Sequence, residues 1–294
     1  MHLVRNCLTG LVFSLCCFSN SSASVDICQQ PTAYSHLSIA YYNQQKSSLD
    51  QSNGTTRQEN HDFDLLFKLS DNWMFGAGHR YVILKFDPLV PETNGHLHTF
   101  YLPLHRQSKS DRKTFRFSLA PALSASSNVM KDPDEYDSDA VQLLAAMIWS
   151  TQLSDQMTFR YGVCGDHRFG NYRIYPSVGV GLRPNANWTI ELGFPTSQLT
   201  HKVSKNLTSS LRIAPDGNEW YVKDRGLEKQ SHVVYEAWVF EWTVNWQAHK
   251  QFMVTASIGR RFQNKYEMTL LDESRVTLRS DPVTRLGAAL AWRF

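Results

Sequence analysis

The sequence predicts an all-β protein, an antiparallel up-and-down transmembrane β-barrel of fourteen strands. Three observations predict it: segments of about ten residues in which apolar and polar side chains alternate, turns that alternate between short and long, and a last strand that ends in an aromatic residue. Alternation at every second residue puts one face of a strand toward lipid and the other toward the lumen. The pattern therefore predicts a barrel that crosses a membrane.

The bulk composition agrees with a barrel. The 294 residues have a formal net charge of +3, so no nucleic-acid partner is predicted. The mean hydropathy of −0.38 argues against a bundle of membrane helices. It is compatible with a barrel, in which apolar and polar faces average out.

The N-terminus predicts a signal peptide at residues 1–24. Basic residues precede the uncharged apolar stretch from Cys7 to Phe18, and small residues follow with cleavage expected near Ser24. The apolar stretch is shorter than the roughly 20 residues that cross a bilayer. Residues 25–294 are then expected to form one barrel domain.

The clearest strand runs from Val233 to Gln247. One face carries apolar side chains and the other carries smaller or polar ones. The apolar face consists of Val234, Trp238, Phe240, Trp242, Val244 and Trp246. Aromatic residues at the ends of such faces are typical of the girdles at membrane interfaces.

The turns supply the strand count. Short polar turns are predicted at Ser70 to Asn72, Ser108 to Lys113, Ser154 to Gln156, Pro184 to Asn187, Pro215 to Asn218 and Ala248 to Gln251. Between them lie longer connections at Gln45 to Asn60, Asp87 to Gly95, Asn128 to Ser138, Pro195 to Lys205, Lys223 to Ser231 and Asn264 to Pro282, and one short connection at Gly170-Asn171. Because short turns are periplasmic in bacterial barrels, both termini are expected there. The short strand at Trp220 to Val222 keeps twelve strands open as an alternative.

The chain ends in Leu290-Ala291-Trp292-Arg293-Phe294. This end resembles the closing-strand signal of bacterial outer-membrane proteins, in which a terminal Phe follows apolar and aromatic residues on one face. Ala289 stands where that family often has Gly. The resemblance implies the outer membrane of a Gram-negative bacterium, recognition of Leu290, Trp292 and Phe294 by the barrel-assembly machinery, and contact with outer-membrane lipid and lipopolysaccharide.

A second resemblance covers most of the predicted mature chain. The stretches Trp188 to Pro195, His201 to Ser204 and Gly217 to Val222 are similar to an uncharacterised family of outer-membrane barrels, a domain of unknown function. That resemblance implies a fold and no activity.

Charged residues on the predicted inner face are the main candidate site. The charges expected to line the lumen are Arg80, Arg116, Arg160, Arg173, Arg212 and Glu241, with Arg183, Arg261, Arg285, Arg293, Asp62, Asp64 and Glu191 on the same face. One hypothesis is a porin-like constriction that passes small, preferentially anionic solutes. The alternative is a structural or surface-interaction barrel whose lumen is plugged by ion pairs or by the segment Val25 to Tyr34.

Two cysteines, Cys28 and Cys164, follow the predicted signal peptide. An oxidising periplasm permits a disulfide between them, and two free thiols are the alternative. No cofactor and no metal site are predicted. His96 and His98 share a strand face but lack an evident third ligand, and Lys131 to Asp139 is interpreted as a solvated acidic loop rather than a calcium site.

An enzyme is not predicted. The best candidate is Gly165-Asp166-His167-Arg168, but neighbouring strand residues point to opposite faces, so Asp166 and His167 are not expected to converge. The predicted external loop Pro195 to Lys205 carries basic residues that could contact lipopolysaccharide phosphates.

Overall fold

The computed structural model describes residues 26–29, 31, 34–50, 54–87, 95–131, 138–223, 230–269 and 275–294. The predicted signal peptide at residues 1–24 lies outside them. Within these ranges, no helix has both the length and the apolar character needed to cross a membrane.

The described chain is almost entirely β-structure. Its segments are β1 (His36–Gln44), β2 (Ser47–Ser48), β3 (Thr55–Lys68), β4 (Trp73–Asp87), β5 (Gly95–Tyr101), β6 (Leu104–Ser110), β7 (Lys113–Ser126), β8 (Val141–Ser154), β9 (Met157–Asp166), β10 (Arg173–Asn185), β11 (Trp188–Phe194), β12 (Ser197–Lys202), β13 (Leu207–Pro215), β14 (Asn218–Lys223), β15 (Gln230–Trp246), β16 (Phe252–Thr269), β17 (Arg275–Ser280) and β18 (Val283–Arg293). A short helix, α1 (Ser127–Met130), and a single 3-10 turn at Ser138–Ala140 lie between β7 and β8.

These segments close into one antiparallel barrel of fourteen strands, and the alternative of twelve is excluded. The ends of the sheet join where β1 pairs with both β3 and β18. Four strands consist of two consecutive segments that pair with a common neighbour. They are β1 with β2, β5 with β6, β13 with β14, and β17 with β18.

The predicted alternation is confirmed along the barrel wall. Outward side chains form an exposed apolar belt, which in β15 includes Phe240, Trp242 and Trp246, whereas Glu241 and Thr243 between them are buried in the lumen. Above Trp238 the outward positions become charged, with Glu236 opposite Lys265. The belt therefore ends there, and the strands continue beyond the membrane.

This extension corrects three of the predicted long connections. β3 begins at Thr55, β16 continues to Thr269, and β17 already starts at Arg275, so much of the predicted loops at 45–60 and 264–282 is strand. The same holds at 223–231, where β15 begins at Gln230. Outside the membrane the outward face is polar, so the apolar alternation ends although the hydrogen-bonded ladder continues.

The prediction of an external loop at Pro195 to Lys205 is wrong. Residues Ser197–Lys202 form β12, which pairs with β11 and β13, and its connection to β11 is only Pro195 and Thr196. His201 stacks on Trp188 with ring centroids 4.2 Å apart, beside the short turns at the periplasmic end. The basic residues His201 and Lys202 therefore lie at the periplasmic end, away from external lipopolysaccharide.

The predicted turn at Pro215 to Asn218 is also wrong. β13 and β14 both pair with β15, and Asp216 exchanges two backbone hydrogen bonds with Ala237, so the strand continues through this segment. The two errors cancel in the strand count. The predicted loop at Pro195 to Lys205 omits one strand, and the predicted turn at Pro215 to Asn218 divides one strand into two. The strand count and the side of each terminus are unchanged.

Candidate functional site

The N-terminal segment enters the lumen. Residues 26–29, here called the plug, lie between the walls, with Ile27 and Cys28 buried. Cys28 is joined to Cys164 of β9 by a disulfide, the first of the two alternatives that the sequence left open. Arg116 of β7 donates a hydrogen bond from Nη2 to the Cys28 carbonyl oxygen at 2.5 Å. The plug is thus bound to both β7 and β9.

A buried arginine completes the attachment of the plug. Arg168, in the β9–β10 connection, has no exposed surface, and its Nη1 lies 2.7 Å from Asp26 Oδ2. Its Nε contacts Asp166 Oδ2 at 3.0 Å, and its Nη2 donates to the Tyr175 hydroxyl at 2.6 Å. Two carboxylates and a hydroxyl therefore compensate one guanidinium, which is the condition for burying a charge at low cost.

A second buried network crosses the lumen between β13 and β18. Arg261 Nη2 lies 2.5 Å from Asp216 Oδ2, and Arg285 Nη2 lies 2.5 Å from Glu241 Oε1. Arg285 Nη1 is 3.7 Å from Asp216 Oδ2. Arg212 lies directly opposite Glu241 in the β13–β15 register. All five side chains are buried, so this part of the lumen is filled by ion pairs.

A third group lies on β3 to β5. Arg80 is directly opposite Asp62 in the register, and both are buried. The Arg80 guanidinium carbon is 5.7 Å from the centre of the Tyr101 ring, whose hydroxyl donates a hydrogen bond to Asp64. Here too, the inward positive charge of Arg80 lies beside a carboxylate of opposite charge.

The remaining predicted lumen charges are more exposed. Arg160 Nη1 lies 3.8 Å from Glu191 Oε2, and both side chains are partly exposed. Arg183 and Arg173 are exposed at the two ends of β10, and Arg293 lies over the Tyr34 ring at 3.6 Å. The lumen is therefore accessible near the periplasmic end of β9 to β12 and filled farther from it.

The external mouth is narrowed by β14, which stays paired with β15 and also forms a parallel bridge to β7 at Tyr221 and Ala125. The side chains of Ser124 and Gln142 donate to the Glu219 carbonyl oxygen at 2.7 and 2.8 Å. Asn218 donates to Thr99 at 2.9 Å. These contacts hold β14 across the opening.

Beyond the membrane, Glu219 contacts two histidines. Its carboxylate oxygens lie 3.3 Å from His167 Nδ1 and 3.2 Å from His232 Nδ1, and His232 Nε2 lies 3.5 Å from Asp139 Oδ2. Burial raises the pKa of Glu219, but the contacts with both histidines outweigh it, so its pKa falls to about 2. Contact with Glu219 raises the pKa of His232 against the effect of burial.

This cluster predicts a pH-dependent contribution to stability. His232 contributes fully below its ordinary pKa of 6.5 and loses its contribution as pH rises through the raised value. Glu219 contributes above its ordinary pKa of 4.5 and loses its contribution as pH falls toward 2. We expect His232→Gln to lower the thermal unfolding midpoint most between pH 4.5 and 6.5. His249→Gln, in an exposed turn, is the control; an equal loss at all pH values for His232→Gln would contradict the prediction.

The other sequence candidates do not assemble into a catalytic or metal site among the described residues. Asp166 contacts Arg168 in the lumen, whereas His167 contacts Glu219. His98 contacts His79 at 3.0 Å and Ser127 at 2.7 Å on the outer face, and no group of three metal-ligating residues is found in the described ranges. Most of the acidic stretch, residues 132–137, lies outside the described part.

The predicted assembly signal lies on the closing strand. Leu290 and Trp292 are exposed on the outer face of β18, and the Phe294 ring lies 5.3 Å from the Trp292 ring and 5.7 Å from the Phe67 ring. The Phe294 amide donates to the Ser35 carbonyl oxygen at 3.3 Å. The three side chains form a continuous surface at the periplasmic rim.

Deleting Phe294 is expected to reduce the folded fraction in the outer membrane, measured by heat-modifiable migration, because the exposed terminal aromatic residue would be lost from the surface that the barrel-assembly machinery is predicted to recognise. Phe67→Ala is the matched control, since it removes the ring contact and keeps the terminal residue. An equal loss in both variants would assign the effect to packing.

Sequence reasoning missed the two residues that organise the lumen, Arg168 and Asp216. Arg168 lies in a connection and not on an alternating strand, and Asp216 lies in a segment with the composition of a turn. Asp26 was missed too, although its position two residues before Cys28 could have suggested a role with that cysteine.

The closed wall, the exposed apolar belt and the polar, charged lumen define an integral outer-membrane β-barrel with a porin-like fold. A family model described as a domain of unknown function (DUF6268) matches residues 113–275, more than half of the chain. The chain belongs to this family. A comparison with curated proteins finds no match.

Solved barrels show similarity at low identity. The COG4313 outer membrane channel from Pseudomonas putida F1 is 9% identical, with 92% of this chain and 99% of that chain covered and a TM-score of 0.47. The KdgM porin in complex with disordered oligogalacturonate is 6% identical, with coverages of 87% and 99% and a TM-score of 0.42. The toluene transporter TodX from Pseudomonas putida is 10% identical, with 89% of each chain covered and a TM-score of 0.36. At these TM-scores the similarities carry no argument about function.

Proposed function

We propose that this barrel passes small solutes and is closed at rest by its own N-terminal segment. The observation that carries the proposal is the position of the plug, inside the lumen and attached to the wall at Cys164, Arg168 and Arg116. One of these attachments is the Cys28–Cys164 disulfide, so the plug leaves the lumen only after an external thiol has reduced that bond to two thiols, itself becoming a disulfide. The barrel then stays folded, because the wall strands pair with one another and not with the plug.

The plug also determines which solutes would pass. Its departure removes the Asp26 carboxylate from Arg168 and the Cys28 carbonyl oxygen from Arg116. Both guanidinium groups would then face the opened lumen with fewer partners. An excess of positive charge in a narrow passage favours anions, so the open barrel is expected to prefer small anions.

The test is conductance of the refolded full chain in planar bilayers. We expect the oxidised protein to be silent, and the double variant Asp26→Asn/Cys28→Ser to form channels with an anion preference. Adding Arg116→Gln should lower that preference. Asp71→Asn, at an exposed turn, is the matched control and should remain silent. If the double variant folds and forms no channels, solute passage through the lumen is overturned.

A permanently closed structural barrel is the second candidate. The observation that favours it is the buried network of Asp216, Arg261 and Arg285, whose ion pairs join residues of the wall to one another. This candidate predicts silence in every variant above. Neither candidate involves an enzymatic step.

A further inference from the structure

The barrel wall is incomplete between β10 and β13. β11 ends opposite Val178 of β10, and β12 starts opposite Ile213 of β13, so the β11–β12 hairpin stops there. β10 continues from Ser177 back to Arg173 without a partner on that side. In this stretch the described chain has no ladder joining β10 to β13.

The gap lies at membrane depth. Outward apolar residues continue above the tip of the hairpin, where Ile174 is 74% exposed and Leu143 is 54% exposed. A solute in the gap would therefore contact lipid and not water. Backbone groups exposed to lipid are costly, so a wall that stops at this depth needs another segment to cover it.

The β9–β10 connection covers the gap. Phe169, from the β9–β10 connection, contacts rings that belong to both faces of the wall. It lies 5.0 Å from the inward Tyr175, 5.8 Å from the outward Phe194 and 6.0 Å from the outward Trp238, measured between ring centroids. The closure consists of this aromatic packing, to which Tyr175 and Phe194 contribute a ring contact of 5.9 Å, and of the backbone of Arg168 and Gly170 near Gly217.

A recess lies on the lumen side of this closure. It is a small recess of about 30 Å³ that opens to solvent, and its lining includes Cys28, Gln29, Arg160, Glu191, Pro195 and Thr196. Two buried polar atoms of the lining, Gln29 Nε2 and Thr196 Oγ1, have no hydrogen-bond partner among the described residues. Unpartnered buried donors indicate a place where a polar group of a ligand can bind.

We propose that the recess and the gap form a lateral binding site for a single-chain amphiphile with an anionic head. The head binds in the recess to the partly exposed Arg160 guanidinium, which Glu191 holds only at 3.8 Å, and to Gln29 and Thr196. The alkyl chain passes Phe169 into the lipid. This site lies in the wall and does not depend on conductance along the barrel axis.

The chemistry of the ligand follows from the two environments that meet at Phe169, which are the polar recess and the lipid. A fully polar solute would place polar groups among aromatic rings, and a fully apolar one would leave Arg160, Gln29 and Thr196 unpaired. One alkyl chain is about as wide as the Phe169 ring that it would replace between Tyr175 and Phe194, so we commit to a free monoacyl anion rather than a two-chain lipid.

The experiment uses the full chain in phosphatidylcholine nanodiscs with dodecanoate that carries a terminal diazirine. Cross-linked peptides are mapped by mass spectrometry. We expect labelling at residues 169–175 and at Phe194, on the lipid side of the recess, that unlabelled dodecanoate displaces. Dodecanol and dioleoyl phosphatidylglycerol at equal concentration should displace it far less. Phe169→Ala should increase the labelling.

Arg160→Gln supplies the test of the head. It should raise the displacing concentration of dodecanoate about tenfold or more, because a charge-assisted hydrogen bond is lost. Arg183→Gln, at the exposed end of β10, is the matched control and should leave it unchanged. Heat-modifiable migration establishes that each variant is folded.

Three results would overturn the site: uniform labelling around the belt, equal displacement by dodecanol, or no effect of Arg160→Gln. Displacement by the two-chain phosphatidylglycerol would overturn the commitment to a monoacyl ligand. Conductance without specific labelling would overturn this site alone, and labelling without conductance would overturn axial passage alone.

Discussion

Asp216→Asn is expected to lower the free energy of unfolding by about 3–5 kcal/mol, since removing one partner of a buried ion pair leaves a buried charge uncompensated. Asp216 has no exposed surface, and its Oδ2 lies 2.5 Å from Arg261 and 3.7 Å from Arg285. In this variant Arg285 keeps its ion pair with Glu241. The uncompensated charge is therefore mainly that of Arg261, which keeps a hydrogen bond to Gln44.

The measurement is equilibrium unfolding in denaturant of the protein in detergent micelles. Asp71→Asn is the matched control, because Asp71 contacts Lys68 at 2.6 Å but its side chain is 93% exposed, and it should not change stability measurably.

A double-mutant cycle of Asp216→Asn with Arg261→Gln gives a second measurement of the same ion pair. The double variant should lose less stability than the sum of the single variants, because each single change leaves a charge that the double removes. Equal losses for Asp216→Asn and Asp71→Asn would contradict the assigned role of the network.

Asp216 also shows why part of the fold could not be predicted from the sequence. Pro215-Asp216-Gly217-Asn218 has the composition of a turn, since Pro, Asp, Gly and Asn each favour one. In the barrel, Asp216 lies within a strand because Arg261 and Arg285 compensate its charge. Those partners are far away in the sequence and are brought near only when the barrel closes, so no local pattern reports them.

The strands of the barrel wall could be predicted, because the requirement on their sequence is local. Each strand that crosses the membrane must expose apolar residues on one face, and this requirement is local, as Phe240, Trp242 and Trp246 show. It ceases to apply outside the membrane, where the strand ends were misplaced. It also does not apply to β12, whose few residues give too little alternation to distinguish a strand from a loop.

The lumen was predictable only in its composition. Alternation identifies Arg80, Arg116, Arg212 and Glu241 as inward residues, and all four are buried. Whether such residues line water or pair with one another depends on what else enters the lumen. The plug enters through contacts of Asp26 and Cys28 with distant strands, which the sequence allowed without specifying.

Gly217→Ala should have the second large effect. A Cβ at this position would lie 2.6 Å from the Tyr235 carbonyl oxygen, 2.7 Å from the Arg168 carbonyl oxygen and 2.8 Å from the Gly170 nitrogen. All three are backbone atoms, so relief requires Gly217 to shift away from Tyr235 of β15 and the β9–β10 connection, which carries Arg168 and Gly170, to move outward as well. Overpacking of this kind costs about 1–3 kcal/mol and occasionally more.

Gly181→Ala is the matched control, because the nearest atom to its added Cβ is Thr158 Cβ at 3.8 Å, an ordinary contact. Its stability should be unchanged or slightly raised.

The two variants also distinguish an effect on stability from an effect on ligand binding at the lateral site. In Gly217→Ala the displaced connection carries Phe169 away from Phe194, so dodecanoate labelling at residues 169–175 should rise above that of the unmodified protein, as in Phe169→Ala. If Gly217→Ala is destabilised and labelling does not rise, the connection closes no opening, and its close approach to Gly217 stabilises the barrel only by packing.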